Sequence, residues 1–278
     1  MNLTNKTVIK DLLKKHRTGP EKYLGQHFIL SKKSLAKMIT AAEIKKNDTI
    51  IEIGPGLGTL TQELAKTGAK IIAIEKDLKM ISILKETQAD YQNIKIIQAD
   101  ARKLSILRID SLKRYKIVAN LPYNAATFLI RQWLESKNPP ELMVLMIQKE
   151  VAQRITAKSP YSNLLAISVQ FYADVKIINY VKKESFWPKP KVNAAIIKIV
   201  PKKMTGLRAI ANRQSFFKVV KAGFSQPRKQ LLGNLSKKLK LSREKLIEIF
   251  RNSNILSAAR AENLSLDEWQ KLAYKLIH

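Results

Sequence analysis

The chain has 278 residues, 45% of them hydrophobic, enough for one large domain and a small one, each with its own core. It has no cysteine and only three scattered histidines, His16, His27 and His278, which excludes disulfides, thiolate nucleophiles and cysteine-held zinc and disfavours any protein-held metal. Fifty-one basic against 22 acidic residues give +29, far more than solubility requires, and point to nucleic acid as the partner. No apolar run reaches the roughly 18 residues of a membrane span, and the N-terminus is polar and lysine-bearing, so a soluble cytoplasmic protein is expected.

Residues 1–22 read as an N-terminal extension. Tyr23–Leu30 then mixes a glycine, polar side chains and apolar residues in a way suited to covering a bound nucleoside, although His27 taken by composition reads equally as a surface or capping histidine. From Thr49 short β-branched runs alternate with helical patterns: Thr49–Ile53, Ile71–Glu75, Ile94–Gln98, Lys116–Ala119 and Leu142–Gln148 are expected strands. That alternation predicts an α/β fold with a doubly wound parallel sheet. Ile167–Tyr172, Lys176–Val181 and Ala194–Val200 follow closely and are expected to add strands, with a terminal antiparallel pair closing the sheet. Pro201–Gly206 reads as a linker. Beyond it the signals are helical, including Ser242 before an amphipathic stretch and a Ser265-x-x-Glu268 capping box. Residues 201–278 hold 17 basic and 5 acidic residues, a denser net charge than the rest of the chain.

Three strand ends carry the chemistry. Glu52-Ile53-Gly54-Pro55-Gly56-Leu57-Gly58 leads from the first strand into a helix, and its glycines let backbone approach a ligand. Glu75 ends the second strand, where a carboxylate can take both hydroxyls of a ribose, and Asp100 follows the third, where an acceptor can reach an adenine amino group. Each acid alone could be a solvated loop residue; Gly, Glu and Asp in that order on successive strands are together a nucleoside pocket. Glu52 is the nearest charge to the glycine loop in the chain, and an acidic lip suits the sulfonium of S-adenosylmethionine better than the pyrophosphate of NAD. After the fourth strand, Asn120-Leu121-Pro122-Tyr123 places an amide oxygen, a backbone carbonyl and an aromatic face together, the equipment for gripping a planar base that bears an exocyclic amine. Phe186 and Trp187 read either as a wall of that base pocket or as core packing at the sheet edge.

These segments resemble the ribosomal RNA adenine N6,N6-dimethyltransferase family, in its small-subunit form. The resemblance rests on Gly25-Gln26-His27-Phe28, Glu52–Gly58, Asp100-Ala101, Asn120-Leu121-Pro122-Tyr123-Asn124, Phe186-Trp187-Pro188-Lys189-Pro190-Lys191-Val192, Ala222–Lys229 and Arg260-Ala261-Glu262-Asn263-Leu264-Ser265. It implies a Rossmann-like class I methyltransferase sheet over 23–201, a small all-α RNA-binding domain over 206–278, and S-adenosylmethionine as cofactor. It further implies small-subunit ribosomal RNA and the pre-ribosomal small subunit as partners, and a role in ribosome biogenesis as a monomer without membrane association. Carried over by residue, it assigns His27 and Ile29 to a lid over the cofactor, Gly54 to the methionine side, Glu75 to the ribose and Asp100 to the cofactor adenine. Asn120 then lies where cofactor and target amine meet, with Leu121 and Tyr123 completing the catalytic set. Asn193 and Gly223 depart from the family pattern, which bears on RNA docking more than on chemistry. The same scaffold admits two other readings, a large-subunit rRNA methyltransferase that confers antibiotic resistance and a non-catalytic assembly factor.

Overall fold

The computed structural model describes residues 1–21, 25–103, 112, 114–123, 125–202 and 213–277; Tyr23, Leu24, Asn124, residues 203–206 of the expected linker and His278 lie outside the described residues. The described chain divides into two units, Met1–Ala152 with Asp174–Pro201, and Gln153–Ala173 with Lys202–His278. The units therefore interleave, and residues 153–173 group with the C-terminal part rather than with the sheet.

In the first unit the expected runs form β2 (Thr49–Ile53), β3 (Lys70–Glu75), β4 (Ile94–Gln98), β5 (Lys116–Asn120) and β6 (Leu142–Gln148), preceded by a short β1 (Phe28–Ile29). With β7 (Ala173–Val181) and β9 (Ala194–Pro201) they make a seven-stranded sheet in the order β4-β3-β2-β5-β6-β9-β7, while β8 (Phe186–Trp187) pairs with β1 apart from it. β2 is flanked by β3 and β5, both parallel to it, with Ile51 opposite Ile72 on one side and Ile117 on the other. The strand order reverses direction between β2 and β5, and such a switch point opens a crevice at the carboxyl ends of the strands. β9 runs antiparallel to β6, Leu145 facing Ile197, which is the expected antiparallel closure.

The edge strands β4 and β7 are more exposed, while β2, β3, β5, β6 and β9 are buried on both faces because helices cover them. These are α2 (Lys32–Ala42), α3 (Thr59–Ala65), α4 (Leu78–Thr87) and α5 (Ala126–Leu134), following α1 (Lys6–Lys15) at the N-terminus. The core of Leu35, Met38, Ile50, Leu64, Ile71, Val118 and Val144 fixes α2 and α3 on the sheet. The N-terminal extension also folds. Asn5 caps α1 by accepting from the Thr7 amide, and Leu3, Ile9, Leu12 and Leu13 pack with Phe28, Leu57, Met80 and Ile83 beside the glycine loop.

The second unit is helical: α6 (Lys149–Thr156) leads into it, followed by α7 (Leu164–Tyr172), α8 (Arg213–Gly223), α9 (Leu231–Leu239), α10 (Arg243–Asn252) and α11 (Leu266–Ile277). α7 corrects the expected strand Ile167–Tyr172. Its β-branched residues favour a strand, but the Asn163 side chain caps the Ala166 amide at 3.0 Å, and Ala166, Ile167, Val169 and Phe171 bury on a helical spacing, Phe171 stacking on Phe216 at 4.4 Å. The two expected helix starts are present, Ser242 accepting from the Lys245 amide and Ser265 exchanging bonds with Glu268.

Gly223, one of the departures from the family pattern, has a packing reason. A Cβ there would stand 2.3 Å from Trp269 Cη2 and 2.7 Å from Leu231 Cδ1, and the Gly223 carbonyl accepts from the buried Asn234 side chain at 2.7 Å. Gly223→Ala is therefore expected to lower unfolding free energy by about 1–3 kcal/mol through overpacking. Urea titration of both proteins checks this, and coincident midpoints would show that α11 has room to yield.

Candidate active site

The carboxyl ends of β2 to β5 enclose a cavity of about 320 Å³ lined wholly by first-unit residues, among them His27, Ile29, Gly54, Glu75, Asp100, Asn120, Leu121 and Tyr123. Every site residue expected from the sequence thus faces one space. Phe186 and Trp187 do not line it: Phe186 is buried in the core with Ile29 and Val118, and Trp187 stacks on Phe28 with ring centroids 6.4 Å apart. Their role is core packing.

Glu75 is held entirely by backbone. Oε2 accepts from the Gly56 amide at 3.1 Å, and Oε1 from the Lys76 and Asp77 amides at 2.7 and 2.9 Å. Burial raises its carboxyl above the usual range, and these three donors oppose the rise. Gly54 and Gly56 both have positive φ, which lets the loop turn tightly there, Gly54 over the Pro122 ring and Gly56 against Phe28.

Asp100 is gripped by Arg102, whose Nε and Nη2 lie 3.1 and 2.8 Å from its two oxygens, with Lys76 Nζ at 3.9 Å. The Arg102 guanidinium lowers the Asp100 carboxyl to about 2. Along the chain only Glu52 is visible as a charge beside the glycine loop; folding adds Lys76 and Arg102 to the lining. No spacing rule announces these two, since Lys76 follows Glu75 by one residue and Arg102 follows Asp100 by two, each in an ordinary loop.

Asn120 donates from Nδ2 to the His27 carbonyl at 3.2 Å, which leaves Oδ1 as the acceptor. His27 Nδ1 is 2.7 Å from the Pro188 carbonyl, and its ring lies 5.7 Å from the Tyr123 ring at 31°. β1 pairs with β8, Phe28 opposite Trp187, so two of the quoted sequence motifs are one structure. Gln26, not singled out from the sequence, ties this lid down by accepting from the Glu21 amide at 2.9 Å and donating to Asp77 at 3.0 Å.

Two polar atoms of cavity-lining residues are buried without a hydrogen-bond partner among the described residues, Glu52 Oε2 and the Tyr123 hydroxyl. Burial pushes the Glu52 carboxyl up to about 8, with the Glu75 charge adding to it and the Thr61 hydroxyl opposing, and burial takes Tyr123 up to about 12. A cationic ligand beside Glu52 restores its charge, whereas a pyrophosphate there would add an anion to an acid already reluctant to ionise. The folded protein keeps this proton where the unfolded chain releases it near 4.5, so the stability it contributes is complete below that pH and is lost as pH rises toward about 8. Glu52→Gln is expected to flatten that decline and to gain on the order of 1–3 kcal/mol at pH 9 in ligand-free protein. Unfolding curves at pH 6 and 9 decide it, and parallel declines would mean that Glu52 is ionised throughout.

A family model for ribosomal RNA adenine dimethylase matches residues 19–277. The ribosomal RNA small subunit methyltransferase A of Dehalococcoides mccartyi strain CBDB1 is 42% identical over 95% of this chain and 90% of its own length. Its counterpart in Clostridioides difficile strain 630 is 35% identical over 98% and 96%. Among solved structures, a dimethyladenosine transferase from Plasmodium falciparum superposes with a TM-score of 0.75 at 26% identity, covering 88% of this chain and 96% of that one. The 23S rRNA methyltransferase ErmE superposes with a TM-score of 0.74 at 20% identity, over 90% and 100%, a likeness of fold alone. By the extent of these matches, and with the site built on the strand ends where its motifs fall, the chain belongs to the ribosomal RNA adenine dimethylase family.

Proposed function

We propose that this protein dimethylates the N6 amines of two adjacent adenines in a 3′-terminal hairpin of small-subunit ribosomal RNA, using S-adenosylmethionine, as a step of small-subunit biogenesis. The observation that carries this reading is the delivery of Gly54, Glu75, Asp100 and Asn120 by four successive parallel strands into one cavity, with Tyr123 beside them. The naming of relatives at 35–42% identity as small-subunit enzymes favours this over the large-subunit reading. The intact site argues against an assembly factor without turnover. The reading includes a monomer acting in the cytoplasm on the pre-ribosomal particle; no helix among the described residues is long and apolar enough to cross a membrane.

S-adenosylmethionine, when bound, supplies a methyl carbon on a positively charged sulfur. Glu75, oriented by its three amides, is the acceptor for ribose hydroxyls; Asp100 receives the adenine amino group; Gly54 meets the methionine end; His27 and Ile29 cover the nucleoside. The target N6 lone pair is delocalised into its ring and is a poor nucleophile at rest. Asn120 Oδ1 and the Leu121 carbonyl would accept hydrogen bonds from its N–H groups, which favours a pyramidal nitrogen with an available lone pair, so positioning and electrostatics supply the rate. Tyr123 holds the base by stacking after it leaves the RNA. Exposed Arg228, Lys229, Lys237 and Lys238 of the helical unit are the phosphate contacts of this reading.

Glu75→Gln keeps the side chain's shape but replaces a charged acceptor, and is expected to weaken S-adenosylmethionine binding by about 1–3 kcal/mol. Asn120→Ala is expected to leave that affinity within a few fold while cutting methyl transfer by on the order of a hundredfold, because its contact matters chiefly as N6 becomes nucleophilic. Calorimetry and single-turnover transfer to small-subunit RNA separate the two effects. Normal turnover in Asn120→Ala would remove Asn120 from the chemistry.

A further inference from the structure

Tyr161 is 79% exposed, at the end of a turn in which its amide donates to the Lys158 carbonyl at 2.9 Å. A single exposed aromatic is ordinary on a protein surface. This one sits on backbone fastened from both sides. Ser159 Oγ donates to the Asn263 carbonyl at 2.7 Å, Asn263 Nδ2 to the Pro160 carbonyl at 3.5 Å, and the Ser162 amide to the Glu262 carbonyl at 3.0 Å. The segment that receives these bonds begins at Arg260, which bridges antiparallel to Gln230, while the Leu231 amide donates to the Ala259 carbonyl at 2.8 Å. Exposed Arg228 and Lys229 lie two and one residues before Gln230 of that bridge, and neither forms an ion pair with a described residue.

We propose that Tyr161 is a stacking platform for one unpaired base of the RNA, with Lys158 and Arg260 holding the phosphates on either side of that nucleotide. The inference rests on the proposed function for the identity of the polymer and adds a contact on the second unit, by a residue that is not among those lining the cavity. A ring held out from fixed backbone loses little entropy on contact, since only two side-chain torsions remain to be ordered. Its face attracts any base, and only an unpaired one presents its own face to a surface residue, so the platform reads single-stranded rather than duplex RNA.

Fluorescence anisotropy of the full chain on a single-stranded oligoribonucleotide of about twelve residues, and on a duplex of the same length, tests it. Tyr161→Ala is expected to weaken single-strand binding about tenfold or more, with the duplex unaffected and the salt slope unchanged, and Tyr161→Phe is expected to restore it. Arg260→Gln is expected to weaken both and to reduce the salt slope by roughly 0.7 on the single strand. Equal affinities for wild type and Tyr161→Ala, or a loss that Tyr161→Phe does not recover, overturn the platform. Methyl transfer by the wild type to small-subunit RNA is measured alongside: its absence sinks the proposed function, whereas normal transfer with an unchanged Tyr161→Ala sinks only this inference.

Discussion

A carboxylate withdrawn from water must find donors, and Glu75 finds three on the backbone alone. That requirement organises the cofactor side of the cavity. The Gly56 amide on one oxygen locks the glycine loop of β2 to the end of β3, and the two amides on the other shape the turn into α4. Asp77, the second residue of that turn, caps α4 through the Lys79 amide and accepts Gln26 on its other oxygen. A continuous run of hydrogen bonds therefore passes from the glycine loop through two acids to the lid, and the cavity floor and roof are set by the same contacts.

The acceptor side is organised by packing and by one amide. Pro122 lies beneath two glycines of positive φ, 3.8 Å from where a Cβ would stand on Gly25 and on Gly54, so the proline that turns the chain after β5 is also the footing of lid and loop. Asn120 spends its amino group on the His27 carbonyl, and His27 in turn is fastened to Pro188. The orientation of the one side chain best placed to accept from a target amine is thus fixed by backbone two segments away. Preorganisation of this kind carries no reorganisation cost at the moment of reaction.

Much of this was legible in the sequence, for physical reasons. Parallel strands buried on both faces must be continuously apolar, so Thr49–Ile53 and Leu142–Gln148 stand out, and the Ser265–Glu268 cap is a local exchange of bonds that needs no tertiary context. Residues 167–172 misled because Ile167-Ser168-Val169-Gln170-Phe171 alternates apolar and polar as a strand does; the decisive cap at Asn163 is a single polar residue in a polar stretch. α1 escaped notice because its apolar positions matter only through Phe28 and Leu57, far along the chain. Gly223 looked like an irregularity in a motif until Trp269 supplied the reason. Asn193, the other departure, accepts from the Lys183 amide at 3.0 Å, a bond an asparagine oxygen makes as well as a carboxylate would.

The chain's +29 and its acidic cavity are complementary rather than contradictory. In the first unit Glu52 and Glu75 are turned inward, while Glu43 and Asp48 pair with the buried Lys198 and Lys116. Each such pair cancels one cation with one anion and leaves the net charge unchanged, so the excess of cations remains for the surface a polyanion meets. Inside the cavity the signs reverse. Glu52 ionises only beside a positive charge, Glu75 is engaged by backbone amides, and Lys76 and Arg102 are engaged with Asp100, an arrangement that favours a cation over a phosphate. An RNA drawn to the basic exterior is thereby discouraged from sending its backbone into the cofactor space, and the neutral part of a nucleotide, the base, is what the Asn120 and Tyr123 end of the cavity can admit.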